Sequence, residues 1–303
     1  MILLDHCLTG LVVGLAVPGG GGDVCAAAVL GGVLPDLDIA MGRPGTFGYL
    51  RFHRKHSHAA LLAPPLAVGI GTGLLGVGST TSLPLLITVA FLALAWHLGL
   101  DMLNAFGTPL GLPFSRKRLH ADLIYEFDPF VTSVLAGTVG AQVAVRSGLA
   151  DCSSLGIGLV GLLVLLGYVG TRAWSRRLVC HEVRKYVVAM KEVALAQSVV
   201  PSSYWRWKGI VVTSNAHHVL RESKGRLATE VRPRVAIPDS FRTKEVRLYE
   251  DYARHLDVGV EGETLVLQNL IYSPTTYRLT ADFTTRGSPA YSMSLPTIRR
   301  ADY

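Results

Sequence analysis

From residue 59 to residue 100 the chain carries no charged side chain, His97 being the one titratable group, and a Gly, Ser and Thr cluster at 76–82 divides the run in two. Each half is long enough to cross a bilayer as a helix, so the pattern predicts a transmembrane hairpin. A second hairpin is predicted at about 130–145 and 155–171, around the polar turn 146–154. Upstream, 8–17 and 24–34 are apolar but too short to span individually, with a glycine run at 18–23 between them. They predict either a re-entrant or packed helical pair, or one kinked span.

Beyond Arg172 the pattern changes. Apolar positions in 181–197 recur at helical spacing with Glu182, Arg184, Lys185, Lys191 and Glu192 between them, as in a juxtamembrane amphipathic helix. From Tyr204 onward come short β-branched and aromatic runs, such as 210–213, 264–267 and 277–283, punctuated by Gly and Pro. The expected fold is mainly α, a polytopic helical membrane domain with about four spans plus a short N-terminal helical pair. A small β-rich cytoplasmic domain follows. The expected boundaries are 1–175 for the membrane domain, 176–200 for the amphipathic helix and 201–303 for the β-rich domain.

Composition agrees with a membrane location. Of 303 residues 50% are hydrophobic and 17% charged, against about 25% charged in soluble domains, and the mean hydropathy is +0.37. The net charge of +7 would suggest nucleic acid in a soluble protein. Here the basic residues flank apolar segments, so membrane lipid is the expected anionic partner and no nucleic acid is expected. Cys7, Cys25, Cys152 and Cys180 are far apart, which argues against a disulfide framework or a thiolate zinc site. The N-terminus opens with Asp5 and His6 where a signal peptide would be basic, so insertion is expected to rest on retained segments.

Lys and Arg also predict an orientation. Arg43, Arg51, Arg54 and Lys55 precede the first hairpin, Arg116, Lys117 and Arg118 follow it, and Arg172, Arg176 and Arg177 follow the second. The two connecting turns carry only Arg146. The basic loops and the C-terminal region are therefore expected to face the cytoplasm.

Three polar clusters break the apolar pattern. Asp36 and Asp38 close an apolar run, where they either cap a helix or face a cation. His53, His56 and His58 stand immediately before a span, as ligands or as a solvated headgroup-facing loop. His97 and Asp101 lie four apart, on one face at the end of a predicted span, with Asn104 close to one turn further. A helix-terminal His packed on a carbonyl is the plainer reading, but it leaves Asp101 unexplained. The predicted topology brings all three clusters to the same membrane face, so Asp36, His53, His58, His97 and Asp101 can meet. Such His and Asp donors suit a divalent metal: zinc, manganese, iron or magnesium, as one ion or as two sharing a hydroxide.

The order of these segments resembles the membrane-bound metal-dependent hydrolases, whose bacterial relatives include a LexA-regulated inner-membrane protein. The resemblance rests on His6 before an apolar-Gly stretch, LPDLD at 34–38, HRKHSH at 53–58, HLGLDMLN at 97–104 and LPFS at 112–115. It covers about 1–175 and is more distantly similar to helical zinc-dependent phospholipases C. It implies His6, Asp36, His53, His58, His97 and Asp101 as metal ligands, zinc foremost, with Asp38 a further candidate. Arg54 and Asn104 are implied as orienting groups. Asp5, ahead of His6, and the extra imidazole His56 depart from the family pattern. The expected activity is hydrolysis of an ester or phosphoester by metal-activated water, with Asp36 or Asp38 as general base and Arg54 steadying an anionic group. The alternative is a metal-stabilised anchor without catalysis, whose C-terminal domain binds a partner or lipid. A transporter fits less well, because the polar groups lie at a membrane face and not at midplane. Tyr204, Trp205 and Trp207 suit either a headgroup belt or a core, and His217 and His218 are expected to be strand or surface residues.

Overall fold

A computed structural model describes residues 2–41, 53–223, 226–261, 264–271, 276–282 and 290–294. The chain divides into two compact units, the first formed by Met1–Asp38 with His53–Ser175, the second built from Arg176 onward.

The first unit is helical. Helices α1 (Leu3–Ala16) and α2 (Gly22–Val33) form a packed N-terminal pair. A 3-10 turn, Leu34–Met41, follows directly on α2. Then come α3 (Ala63–Gly76), α4 (Leu83–Leu103), α5 (Pro129–Arg146) and α6 (Ser154–Ala189). Among the described residues, α4 and α6 are the two helices long and apolar enough to cross a membrane, so the expected count of about four spans is not confirmed. With 14 residues, α3 extends about 21 Å, short of the roughly 30 Å hydrocarbon core.

Close approach of backbones sets this packing. A Cβ on Gly31 would stand 2.4 Å from the Ala90 carbonyl of α4, and one on Gly32 would stand 2.4 Å from the His6 carbonyl of α1. Helix α2 is thus wedged between α1 and α4. Ala27, Ala63, Ala67, Leu86, Ala90 and Leu94 fill the core beside it. Asp128 caps α5, its Oδ1 accepting from the Phe130 and Val131 amides, an interaction worth about 1 kcal/mol in helices generally. Arg146, the basic residue of the second connecting turn, folds back along the surface onto the end of α1. Its guanidinium donates to the Leu15 and Val17 carbonyls at 3.0 and 2.6 Å, closing the end of α1.

Helix α6 runs unbroken from the apolar segment through 175 and ends at Ala189. The helix predicted over 176–200 is therefore shorter, and Ala196–Pro201 is already a strand. In the second unit the end of α6 packs Val183 against Trp207, Val211 and Leu220 of an antiparallel sheet. Its strands are β1 (Ala196–Pro201), β2 (Trp207–Val212), β3 (Ala216–Ser223) and β4 (Arg226–Pro233), in that order. A short amphipathic helix, α7 (Lys244–Tyr252), was not foreseen in the sequence. It precedes a second antiparallel sheet of β5 (Leu256–Glu261), β6 (Thr264–Asn269), β7 (Thr276–Asp282) and β8 (Ala290–Ser294). Of the aromatic cluster, Trp207 enters the core at 3% exposure while Trp205 stays 70% exposed.

Candidate metal centre

The packing of α1, α2 and α4 brings His6, Asp36, His97 and Asp101 together, and the 3-10 turn His56–His58 adds His58. Asp36, His58, His97 and Asp101 each offer one donor atom, and these four atoms lie within 4.8 Å of one another. All four residues are 0–3% exposed.

Each of the two imidazoles is fixed through Nδ1. His97 Nδ1 is 2.7 Å from the Gly32 carbonyl, which can only accept, so Nδ1 carries the proton and Nε2 is bare in the neutral ring. Ser57 Oγ donates its single proton to Asp38 Oδ2 at 2.5 Å, so at 2.9 Å it must accept from His58 Nδ1. The two Nε2 atoms then face each other, lone pair to lone pair, at 3.2 Å. Such an arrangement requires a proton or a metal ion between them.

The carboxylates complete the set. Asp36 Oδ1 and Asp101 Oδ2 each stand 3.3 Å from His58 Nε2 and 3.8 Å from His97 Nε2. Ligand atoms about 2.0–2.2 Å from a tetrahedral ion stand roughly 3.3–3.6 Å apart, so the spacing fits one small cation. Burial acts to raise the Asp36 carboxyl, but the imidazoles of His58, His97 and His6 overcome it and hold it well below the ordinary range. His58 is likewise desolvated, yet the Asp101 and Asp36 carboxylates beside it push its pKa up. A metal ion would displace that proton.

Around this set the other residues take distinct places. The His6 ring stacks on His97 with centroids 3.7 Å apart. Its Nε2 faces the opposite oxygens of both carboxylates, 3.3 Å from Asp101 Oδ1 and 3.7 Å from Asp36 Oδ2. Arg54, 4% exposed, donates from Nη2 to Asp101 Oδ1 at 3.0 Å and lies over the Phe106 ring at 5.5 Å. Its backbone has φ +52°, a conformation uncommon outside glycine, and its amide donates to Asp38 Oδ2 at 3.0 Å. Asp38 also receives His53 Nδ1 at 2.7 Å, so this carboxylate organises the whole 53–58 turn. With Asp36, the pair Asp38 and His53 forms a second group within ligand reach. Asn104 accepts from the Phe106 and Gly107 amides at 2.9 and 3.2 Å, and Arg54 Nη1 lies 3.5 Å away. His56 is exposed and stands outside both groups.

Three contributors had no sequence signal strong enough to single them out. Ser57 and the Gly32 carbonyl act only through contacts made in three dimensions, and Phe106 falls just beyond the HLGLDMLN segment. Asp5, which departs from the expected pattern, is fully buried and accepts the Thr132 hydroxyl at 2.6 Å, fastening α1 to α5. The two residues are 127 apart, so nothing local in the sequence marks the contact.

A family model described as YdjM inner membrane protein matches residues 1–178. The chain belongs to that family. The YdjM region contains every residue of the metal cluster and stops beside the division between the two units. The chain is also similar to an uncharacterized protein, YfhP, of Bacillus subtilis (strain 168), at 25% identity over 221 residues. That match covers 72% of this chain and 64% of YfhP, so the chain spans less than two thirds of that relative. No solved structure matches. Membership in an inner-membrane family and two apolar helices of spanning length together make this a membrane protein whose buried His and Asp cluster can hold a metal ion.

Proposed function

We propose that the centre is that of a divalent-metal-dependent hydrolase, acting on an ester or phosphoester at the cytoplasmic face of the inner membrane. The observation that carries the metal reading is the pair of Nδ1-fixed imidazoles whose Nε2 atoms stand 3.2 Å apart between two carboxylates. Charge supports it too. With neutral imidazoles, Asp36, Asp38 and Asp101 against Arg54 leave a formal −2 in a buried site, which a divalent ion offsets. The mixed nitrogen and oxygen donors suit zinc best, with manganese and iron also compatible. The cytoplasmic placement rests on the positive-inside pattern of the loops.

When bound, such an ion supplies a nucleophilic water near neutral pH and a Lewis acid that polarises the ester oxygen. The chain's own residues would prepare that chemistry. His58, His97, Asp36 and Asp101 hold the ion. Asp38 and Ser57 fix the His58 tautomer, and the Gly32 carbonyl fixes that of His97. Arg54 steadies Asp101 and balances its charge, which differs from direct contact with a substrate anion. His6, against the outer oxygens of both carboxylates, is placed to take or return a proton or to serve as a further ligand.

One observation favours a second reading, a structural metal that only fastens the helices. The four donors are almost wholly enclosed, and structural sites are closed where catalytic ones keep an open position. Elemental analysis of detergent-purified protein separates the readings, with His97→Ala and Asp101→Ala beside the wild type and a screen of chromogenic phosphodiesters and short-chain lipid esters. Stoichiometric metal with hydrolysis, both lost in the variants, supports the hydrolase. Metal without hydrolysis favours the fastener, and wild type without metal overturns both.

A further inference from the structure

The second unit carries a cavity of about 460 Å³ that the metal centre leaves unused. Its walls come from the ends of β1 and β2, from β3, from the segment after β4, and from α7 and β5. The floor is apolar and buried, with Ile237, Ala253 and Val258 at 8–9% exposure. Three arginines, Arg234, Arg242 and Arg254, line it together with Glu250, and Asp239 and Asp257 lie behind the lining, beside Arg242 and His217. Cavities of this size, apolar below and polar at a few fixed points, hold small molecules.

The guanidinium groups are positioned by the fold. Arg234 Nη1 donates to the Thr213 carbonyl at 3.1 Å, and Arg254 Nη2 reaches Ser198 Oγ at 3.5 Å. Arg242 pairs through Nε with Asp239 at 3.1 Å, but Asp239 is 99% exposed, and such pairs are worth little. His255 also lines the cavity, held through Nε2 by Ser198 Oγ at 2.8 Å. His217, 5% exposed, is the second imidazole of the lining. Its Nδ1 has no hydrogen-bond partner among the described residues, and Asp257 Oδ1 is 3.6 Å away.

We propose that this cavity binds a small phosphate-bearing molecule, its phosphate met by Arg234, Arg242 and Arg254 and its apolar part resting on Ile237, Ala253 and Val258. Arginine forks match phosphate oxygens two at a time, and three of them suit a dianion better than a carboxylate. The volume excludes a nucleic-acid strand. A soluble phosphomonoester and the headgroup of a phosphatidic acid present the same chemistry.

The test uses the full chain in detergent, stripped of metal with EDTA so that the His and Asp cluster does not itself hold phosphate through an ion. Adenosine monophosphate and water-soluble dihexanoyl phosphatidic acid are titrated separately by calorimetry. Saturable binding of either is expected, weakened at least about tenfold by Arg242→Glu and by Arg254→Gln, the loss of one charge-assisted contact. Lys185→Glu, exposed and away from the cavity, is expected to change nothing and controls for bulk charge. Binding of the nucleotide alone identifies a soluble ligand, and binding of the lipid alone identifies a headgroup. Absence of binding by both, or binding that Arg242→Glu and Arg254→Gln leave unchanged, overturns the proposal.

Discussion

At the scale of single residues, the centre depends on groups that never touch the ion's position. Ser57 transmits the Asp38 carboxylate to His58 Nδ1, so removing one hydroxyl frees the ring to rotate and to change tautomer. Ser57→Ala is expected to weaken zinc about 10–100-fold, as loss of such outer partners generally does. Competition with a chromophoric chelator measures it, and an unchanged affinity would show that His58 is held some other way. Arg54 is the second such residue. Arg54→Gln keeps much of the volume but removes the guanidinium charge beside Asp101, leaving the buried carboxylate less well compensated, which is costly. Metal-free protein is expected to lose several degrees of thermal stability in this variant, and metal-loaded protein clearly less, because the ion supplies the lost positive charge. Equal losses in both forms would contradict that role.

At the scale of elements, the donors meet because α2 can lie within backbone contact of two helices. Gly32 is the sharpest case, since a methyl group there would stand 2.4 Å from the His6 carbonyl. Gly32→Ala is expected to part α1 from α2, shift the carbonyl that fixes His97, and lower metal stoichiometry while helical circular dichroism persists. Gly69→Ala in α3 has open space around its Cβ and serves as the control. Full metal occupancy in Gly32→Ala would mean that the helices yield more easily than close-packed interiors normally do.

At the scale of the whole molecule, the two units answer to different variables. The first carries the cluster that can hold a metal ion, the second a buried lysine whose protonation changes near neutral pH. Lys208 in β2 is 2% exposed and donates to the Leu270 and Ile271 carbonyls beyond β6, joining one sheet to the other. Burial, with the charges of Arg221 and Arg232 against that of Glu230, pushes its pKa from 10.5 down to about 7. The folded unit therefore binds fewer protons than the unfolded one between about pH 7 and 10.5, and stability rises with pH across that window. Below about pH 7 both states are protonated and the contribution levels off. Hydrogen exchange, corrected for intrinsic rates, is expected to show β2 and residues 264–271 better protected at pH 9 than at pH 7. Lys208→Met should abolish that difference, and its persistence would assign the pH response elsewhere. EDTA, in contrast, is expected to loosen α1, α2 and α4 and leave this unit unchanged.

The sequence by itself determined what local chemistry can determine. Runs without charge marked the long helices α4 and α6, alternating β-branched segments marked the C-terminal sheets, and charged side chains stranded at the ends of apolar runs marked Asp36, His58, His97 and Asp101. Those signals survive in one dimension because burying a bare carboxylate or imidazole is too costly to be incidental. What only the tertiary structure decided depends on atoms brought close from distant positions. The tautomers of His58 and His97, the contact of Arg146 with the end of α1, the task of Asp5 and the division between Asp36 and Asp38 all follow from partners up to 132 residues away. The ends of the helices were also decided there, because they are fixed by where packing and turns stop a helix, and apolar composition alone does not register those ends.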